Sequence, residues 1–220
     1  MRDRAAKEAL FDAFAMIGKA LANGRRAEIV DVLANGARSV ESLATEIGQS
    51  VANTSQHLQT LKNAGLVSSR REGTRVFYNL ASPEVASFWR AMQEVAVRSR
   101  GEVERLAEDY LGPLDTAAVT KEELWRRLEK GARVVVLDVR PEDEYRAGHI
   151  PKARSIPLAE LKKRLDEVPR TSEIVAYCRG PFCALAPEAV RLLRARGFKA
   201  RRLEDGIPEW VAAGLPIDAA

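Results

Sequence analysis

The sequence is short of cysteine, of histidine and of long apolar runs. Its 220 residues include two cysteines and two histidines, and no apolar stretch approaches the roughly 18–20 residues that a membrane-spanning helix needs. A secreted scaffold would spread its cysteines along the chain, and the first residues carry both signs of charge, unlike a secretory signal. These absences predict a cytoplasmic protein that makes no contact with a membrane.

An excess of charge of either sign is also lacking, because basic and acidic residues nearly balance. The formal net charge is +4, and neither half of the chain is basic enough to indicate nucleic-acid binding by itself. A local excess occurs within residues 49–80, where Glu72 is the only acidic residue and the basic residues are Lys62, Arg70, Arg71 and Arg75. This local excess favours contact with a polyanion.

The spacing of apolar residues in the first half predicts a small, mostly helical domain. Residues 10–63 follow a helical period with turns between them, and residues 66–70 and 76–80 are short strand-like runs around a hairpin tip. One long helix is then predicted from Ser82 to Tyr110. Gly112–Thr116 breaks this helix, so we place a domain boundary between residues 1–112 and residues 113–220.

The period changes after that boundary. Residues 134–139 and 174–177 are continuous apolar, β-branched runs, which are typical of strands buried on both faces of a parallel sheet. Helical segments alternate with them, for example residues 158–165 and 184–196. The sequence therefore predicts an α/β multi-domain protein, with a mostly α N-terminal domain and a three-layer α/β C-terminal domain.

Two short helices, a tight turn and a hairpin with a basic tip predict a winged helix-turn-helix in residues 1–112. Ser50 is a good N-cap for the second helix, on which Thr54, Leu58 and Leu61 face inward. The outward residues include Asn53, Gln56 and Gln59, whose amides can contact adenine in the major groove. Arg70, Arg71 and Arg75 on the wing suit phosphate or minor-groove contacts. The alternative is a protein-interaction module that does not bind DNA.

Three segments carry a resemblance to the ArsR family of bacterial winged-helix repressors: residues 22–29, residues 55–67 and Arg71–Gly73 with Tyr78. The resemblance implies a homodimer, paired through its first and last helices, that binds double-stranded operator DNA. Many members sense metals through cysteine clusters or through acidic and histidine residues. The first half has no cysteine and one histidine, His57, so we predict no metal site there.

Cys178 follows the buried run 174–177 directly, and a helix follows about six residues later. A loop at the carboxyl end of a parallel strand points into the usual ligand crevice. Loop amides, the helix N-terminus and the charge of Arg179 favour a thiolate, so we expect a lowered pKa for Cys178. The alternative is an inert buried cysteine.

The signatures of the rhodanese domain, a sulfurtransferase fold, are resembled by residues 137–140, 144–145, 148–153, 156–158, 203–210 and 214–216. The resemblance implies that Cys178 carries sulfane sulfur as a persulfide from a small anionic donor, thiosulfate or polysulfide, to an acceptor thiol. It also implies that Arg179 holds the donor. The active loop is Cys178, Arg179, Gly180, Pro181, Phe182 and Cys183. A phosphatase of related fold would need an arginine at the position of Ala184, so that alternative is poor, and no cofactor is predicted.

Cys183 is either a resolving thiol for Cys178 or a small packing residue at the helix start. The sequence thus predicts a DNA-binding transcriptional regulator that uses Cys178 for sulfane-sulfur transfer or sensing. One alternative is a thiosulfate-type sulfurtransferase in which the winged helix serves mainly for dimerisation. Another is a catalytically silent second domain.

Overall fold

The computed structural model describes residues 3–112 and 118–219. The chain divides into two compact units, one reaching to Met92 and the other beginning at Gln93. Most of the predicted helix break, residues 113–116, lies outside the described residues, and the domain boundary after Gly112 stays a prediction. Within the described ranges, no helix combines the length and the apolar character needed to cross a membrane.

The first unit is a helical body with a small antiparallel sheet. Its helices are α1 (Arg4–Leu21), α2 (Gly24–Leu33), α3 (Val40–Glu46) and α4 (Val51–Asn63). Its strands are β1 (Arg38–Ser39), β2 (Val67–Glu72) and β3 (Arg75–Leu80), in the order β1-β3-β2. The β2–β3 hairpin pairs Glu72 with Arg75 at its tip. This confirms the predicted winged helix-turn-helix.

Local side-chain chemistry sets the ends of these helices. Asn23 Oδ1 accepts hydrogen bonds from the backbone N–H groups of Arg25 and Arg26, at 3.0 and 3.2 Å. Ser50 Oγ accepts one from the N–H of Asn53 at 3.2 Å, which confirms the predicted N-cap of α4. Gly65 has φ = 72°, the left-handed conformation that commonly ends a helix.

The core of this unit lies between α2, α3, α4 and the sheet. Its fully buried residues include Ile29, Leu43, Leu58 and Leu61. On α4, Thr54 is buried with Leu58 and Leu61, as predicted, because these residues recur on one face at helical spacing. The opposite face of α4 is therefore left exposed to solvent.

The single long helix predicted from Ser82 to Tyr110 is wrong. The structure has two helices there, α5 (Pro83–Ser99) and α6 (Gly101–Leu111). Arg100 separates them with an extended backbone, φ −137° and ψ 93°. Gly101 follows it, and glycine has little tendency to stay helical because its unfolded backbone has more freedom to lose.

In residues 118–219 the second unit has five further helices and four strands. The helices are α7 (Lys121–Glu129), α8 (Glu142–Ala147), α9 (Leu158–Leu161), α10 (Leu185–Ala195) and α11 (Ile207–Ala212), with a 3₁₀ turn at Leu165–Glu167. The strands are β4 (Val134–Asp138), β5 (Arg154–Ser155), β6 (Glu173–Tyr177) and β7 (Ala200–Arg202). They form a parallel sheet in the order β5-β4-β6-β7.

Two hydrophobic cores lie on the two faces of this sheet. One includes Ala176, Cys178, Ala200 and residues of α9 and α10. The other includes Val175, Tyr177 and Leu203 with residues of α7 and α11. The three-layer α/β architecture predicted from the sequence is confirmed, and it places Cys178 at the carboxyl end of the central strand β6.

Candidate functional site

The exposed face of α4 carries the residues predicted to read base edges. Asn53, Gln56 and Gln59 are all exposed, and their spacing of three keeps them on one side of the helix. Gln59 Nε2 donates to Asn63 Oδ1 at 2.7 Å. His57, beside them in sequence, is half-buried. The structure thus brings the three predicted residues onto one surface, and their contact with bases stays a prediction.

The β2–β3 hairpin carries the three predicted arginines, and all are exposed. Arg70 forms an ion pair with Glu72 at 2.8 Å, and its guanidinium lies 5.8 Å from the centre of the Phe77 ring. Arg71 Nε donates to the Gly73 carbonyl at 3.1 Å. Arg75 stands opposite Glu72 in the register. The hairpin tip therefore presents cationic side chains to solvent, as a wing does when it contacts phosphates.

Cys178 and Cys183 lie at the two ends of the loop between β6 and α10. Cys178 is buried, with 3% of its surface exposed, and Cys183 is half-buried. Between them, Pro181 is exposed, and Arg179, Gly180 and Phe182 are half-buried. The Cys183 N–H donates to the Gly180 carbonyl at 3.2 Å, which closes the loop into a tight turn.

The two thiols interact with each other and with the backbone of the loop. Cys178 Sγ lies 3.5 Å from the Cys183 carbonyl oxygen and 4.0 Å from that of Gly180. Burial raises the pKa of Cys178 well above its ordinary value, and the hydrogen bond to Cys183 raises it further. The hydrogen bond from Cys178 lowers the pKa of Cys183, as do the N–H groups of Arg179 and Leu185. Of the two thiols, Cys183 is therefore the one that ionises first.

The expected lowered pKa of Cys178 is wrong for the resting pair. The sequence indicated backbone amides near this thiol, and the N–H groups of Gly180 and Ala186 do lower the pKa of Cys178. Burial and the neighbouring thiolate outweigh them, because an apolar environment and a like charge both disfavour a second anion. The thiolate consequently forms more easily on Cys183, the more exposed of the two.

The guanidinium of Arg179 is hydrogen-bonded to the buried carboxylate of Glu144. Its Nε and Nη2 donate to Glu144 Oε1 at 3.0 and 2.6 Å, and Glu144 is fully buried. A two-pronged contact of this kind fixes the plane of the guanidinium. Arg179 thus ties the cysteine loop to α8, and its predicted role in holding an anionic donor stays a prediction.

A second buried ion pair lies beside this one. Arg140 donates through Nε and Nη2 to Asp138, with a shortest distance of 2.6 Å, and also to the Gly148 carbonyl at 2.7 Å. The Tyr177 hydroxyl donates to Asp138 Oδ2 at 2.5 Å. Burial and the Asp138 charge raise the pKa of Tyr177 well above its ordinary value. These contacts fix the end of β6 from which the cysteine loop begins.

Gly206 packs closely against the backbone of the cysteine loop. A Cβ atom at this position would lie 2.2 Å from the Arg179 carbonyl carbon and 2.4 Å from the Gly180 nitrogen, so a larger residue cannot fit without a shift. Glu209 accepts a hydrogen bond from the Gly206 N–H at 2.9 Å. Glu144, Gly206 and Glu209 were not predicted as parts of the site. All three residues lie in the segments that resemble rhodanese domains, and that resemblance is the signal in the sequence that could have found them.

Metal ligands are not gathered near the cysteines. In the described residues, no three side chains of histidine, cysteine, aspartate or glutamate are placed to hold a metal ion. The chemistry that the arrangement supports is that of the two thiols themselves.

Comparisons with known proteins agree with this division of the chain. Residues 23–69 match the family model of the arsR family of bacterial regulatory proteins, and residues 120–213 match that of the rhodanese-like domain. The HTH-type transcriptional regulator Rv0324 of Mycobacterium tuberculosis is 50% identical over 212 residues, which cover 96% of this chain and 93% of that protein. A sulfurtransferase of Allochromatium vinosum is 32% identical over 102 residues, 46% of this chain and 94% of that protein.

Among solved structures, one similar protein is Mb0332 of Mycobacterium bovis. The solution structure of its fragment 1–100 is described as a homodimeric winged helix-turn-helix DNA-binding domain. It is 50% identical to this chain, covers 44% of this chain and 87% of that fragment, and superposes with a TM-score of 0.41.

The fold and the sites define a DNA-binding winged helix-turn-helix protein with an appended rhodanese-like domain. With a relative half identical over nearly its whole length, the chain belongs to the ArsR-family HTH-type transcriptional regulators that carry a C-terminal rhodanese-like domain.

Proposed function

We propose that this regulator accepts sulfane sulfur on Cys178 and that the modified loop changes the affinity of the dimer for its operator. The observation that carries the proposal is the hydrogen-bonded pair of Cys178 and Cys183 at the carboxyl end of β6. The hydrogen bond lowers the pKa of Cys183, and the thiolate is the reactive form of cysteine.

The sulfur-transfer step uses both cysteines. The Cys178 proton passes to the Cys183 thiolate along their hydrogen bond, which leaves Cys178 as the thiolate. Cys178 Sγ then attacks the outer sulfur of thiosulfate; the S–S bond of thiosulfate breaks, and its electron pair leaves with sulfite. Cys178 now carries a persulfide, whose outer sulfur an acceptor thiolate can take, which returns Cys178 to its starting state.

Cys183 also provides a second outcome. Cys183, now protonated, passes its proton to the outer sulfur of the Cys178 persulfide, and the Cys183 thiolate then attacks the inner sulfur and expels hydrosulfide. The product is a disulfide between Cys178 and Cys183. Either product removes the thiol hydrogen bond that now joins the two ends of the loop. We infer that this loss is the local event to which the regulator responds.

Entry of the donor is the step that burial restricts most, because only 3% of Cys178 is exposed. The exposed part of the loop is at Pro181, and Gly180 and Phe182 beside it are half-buried. We propose that a small anion enters there, after a displacement of this loop. A bulky donor would be excluded on the same ground.

On the DNA side, we propose that Asn53, Gln56 and Gln59 contact base edges and that Arg70, Arg71 and Arg75 contact the phosphate backbone of a duplex. The six side chains are exposed on α4 and on the β2–β3 hairpin, the two elements that meet DNA in winged-helix proteins. Their polar and cationic groups have the hydrogen-bonding capacity that these contacts require.

We also propose that two copies of the chain pair through α1 and α5. Both helices expose large apolar side chains: Leu10, Phe11, Phe14, Met16, Phe88 and Val95. Phe14 is 63% exposed and Val95 is 62% exposed. Apolar patches of this kind are rarely left uncovered in a monomer, and a second copy of the same surface would bury them symmetrically.

The experiment starts from an operator selected out of random duplex DNA with the wild-type protein. Gel shifts then compare wild type, Cys178→Ser and Cys183→Ser, each with and without polysulfide. We expect polysulfide to change the affinity of wild type and to leave Cys178→Ser unchanged. Equal affinities under all conditions would contradict sensing, and intact-mass analysis of the same samples would show whether a persulfide or a disulfide forms.

A second variant separates this proposal from its alternative, a sulfurtransferase whose winged helix serves mainly for dimerisation. Replacing Arg70, Arg71 and Arg75 by glutamine should weaken DNA binding strongly and reduce its salt dependence. The control removes three exposed charges from the rhodanese-like domain, at Arg146, Lys162 and Lys163. Unchanged DNA binding in the wing variant, or no enriched duplex at all, would favour the alternative.

A further inference from the structure

Arg202 lies on the same face of the sheet as Cys178. Successive side chains of a strand point to opposite faces. On β7, Ala200 packs into the core that contains Cys178, whereas Arg201 Nη1 reaches Glu123 Oε1 at 3.4 Å on α7, a helix of the other core. Arg202, two residues after Ala200, therefore projects to the Cys178 face.

The strand register brings Arg202 to the carboxyl end of the sheet. Arg202 stands opposite Ala176, which is two residues before Cys178 on β6. The next residue, Leu203, donates its N–H to the Ala176 carbonyl at 2.8 Å. Arg202 Nη1 lies 3.5 Å from the Leu203 carbonyl oxygen, so the guanidinium stays close to this end of β7. An arginine side chain is long enough to reach from there toward the cysteine loop.

Among the residues that the structure describes, no carboxylate forms an ion pair with Arg202, unlike its neighbours. Arg179 is held by Glu144 and Arg140 by Asp138. Arg202 is half-buried, and its Nε is buried without a hydrogen-bond partner among the residues that the structure describes. A buried donor left unsatisfied is costly and uncommon in folded proteins. An anion that entered beside Cys178 would give this donor a partner.

We propose that Arg202 binds the oxoanion end of the sulfur donor, so that the rhodanese-like domain selects donors with an anionic leaving group, of which thiosulfate is the type. This inference rests on the proposed sulfur transfer at Cys178. The guanidinium would pair with the sulfonate oxygens while Cys178 Sγ attacks the outer sulfur. It would then stabilise the negative charge that gathers on the departing sulfite, because planar guanidinium groups match such oxoanions in shape and charge.

Two alkylating reagents test whether the charge of Arg202 favours anionic reagents at Cys178, and they involve no sulfur transfer. Iodoacetate and iodoacetamide both form a thioether with a cysteine thiolate and release iodide, but only iodoacetate is an anion. We expect Arg202→Gln to lower the ratio of the iodoacetate rate to the iodoacetamide rate at Cys178 severalfold, and Arg202→Lys to keep most of it. Peptide mapping assigns the label to Cys178 or Cys183.

The matched control is Arg201→Gln, which removes the same charge one residue away on the opposite face. The ratio of the iodoacetate rate to the iodoacetamide rate in this variant should equal that of wild type. Equal ratios for Arg202→Gln and wild type, or an equal fall in both variants, would overturn the inference.

The second measurement is the rate at which thiosulfate converts Cys178 to a persulfide, followed by intact mass. We expect Arg202→Gln to lower this rate about tenfold, the loss typical of one charged hydrogen bond. If wild type forms no persulfide, the proposed sulfur transfer fails, whatever the alkylation ratios. If wild type reacts and Arg202→Gln reacts equally fast, only the role of Arg202 fails.

Discussion

The Arg191 guanidinium donates a 3.0 Å hydrogen bond to the backbone carbonyl of Leu111. Arg191 is on α10, the helix that follows the cysteine loop directly, and Leu111 is the last residue of α6. The last carbonyls of a helix have no partner within the helix, so the arginine caps α6. Both residues belong to the second unit.

This contact extends a continuous path through the chain. The helix α6 follows α5, separated from it by Arg100 alone, and α5 packs on the core of the first unit through Trp89. Trp89 Nε1 in turn donates to Asp31 Oδ1 on α2 at 2.8 Å. A displacement of α10 caused by chemistry in the cysteine loop could reach the winged helix in this way. A variant that breaks this path tests whether it carries the coupling.

The first prediction is that Arg191→Ala uncouples sulfur chemistry from DNA binding. The variant should form the same persulfide as wild type, while polysulfide no longer changes its affinity for the operator. Stability should fall by only about 1 kcal/mol, the usual net contribution of one hydrogen bond. Gel shifts and intact mass measured on the same samples provide the check.

Arg196→Ala is the control for that variant, because it removes the same charge from the exposed end of α10. It should respond to polysulfide as wild type does. A normal response in Arg191→Ala would show that coupling, if present, takes another route.

The second prediction concerns Glu144, which is fully buried against Arg179 and Arg140. Glu144→Gln would leave a guanidinium without its countercharge in the interior, and breaking such a pair typically costs about 3–5 kcal/mol. Urea denaturation should show this loss. Glu160→Gln, which breaks an exposed ion pair with Arg164, should leave the unfolding midpoint nearly unchanged. Similar midpoints for the two variants would contradict a structural role for the buried pair.

The sequence predicted best those features that depend on neighbouring residues. Ser50 caps α4 as predicted, because its Oγ accepts the Asn53 N–H at 3.2 Å. A cap is decided within one turn of helix, so a local pattern is enough to find it. The continuous apolar runs likewise identified β4 and β6 as buried strands.

The sequence predicted less well what depends on distant contacts and on burial. Glu144 lies 35 positions before Arg179, and nothing local to either residue indicates their pairing. The lowered pKa of the cysteine pair was assigned to the wrong sulfur, since loop amides can be inferred from position but the depth of Cys178 cannot. The break at Arg100 was missed because the apolar spacing continues across it.

The third prediction is that Gly206→Ala disrupts the cysteine loop. The added Cβ would meet backbone atoms of Arg179 and Gly180 at 2.2–2.4 Å, and backbone cannot move aside as a flexible side chain can. We expect a loss of stability of about 1–3 kcal/mol, as for other overpacked interiors, together with a changed alkylation rate at Cys178. Gly101→Ala, where a Cβ meets no atom within 4 Å, should cause no loss of stability and leave the alkylation rate unchanged. A wild-type alkylation rate in Gly206→Ala would show that this contact does not shape the loop.

The fourth prediction follows from the opposite pKa shifts of the two thiols. The pKa of Cys183 is lowered by its hydrogen bond from Cys178, and burial raises the pKa of Cys178; such coupled groups titrate as a pair in two separate steps. Ultraviolet absorbance should therefore show one thiolate per chain forming below the pH at which free cysteine ionises, and the second well above it. Cys178→Ala loses the hydrogen-bond donor to Cys183 and should shift the first step to higher pH, whereas Cys183→Ser should abolish that step because the remaining thiol is buried. Two thiols that ionise together near the pKa of free cysteine would contradict the pairing on which the proposed chemistry depends.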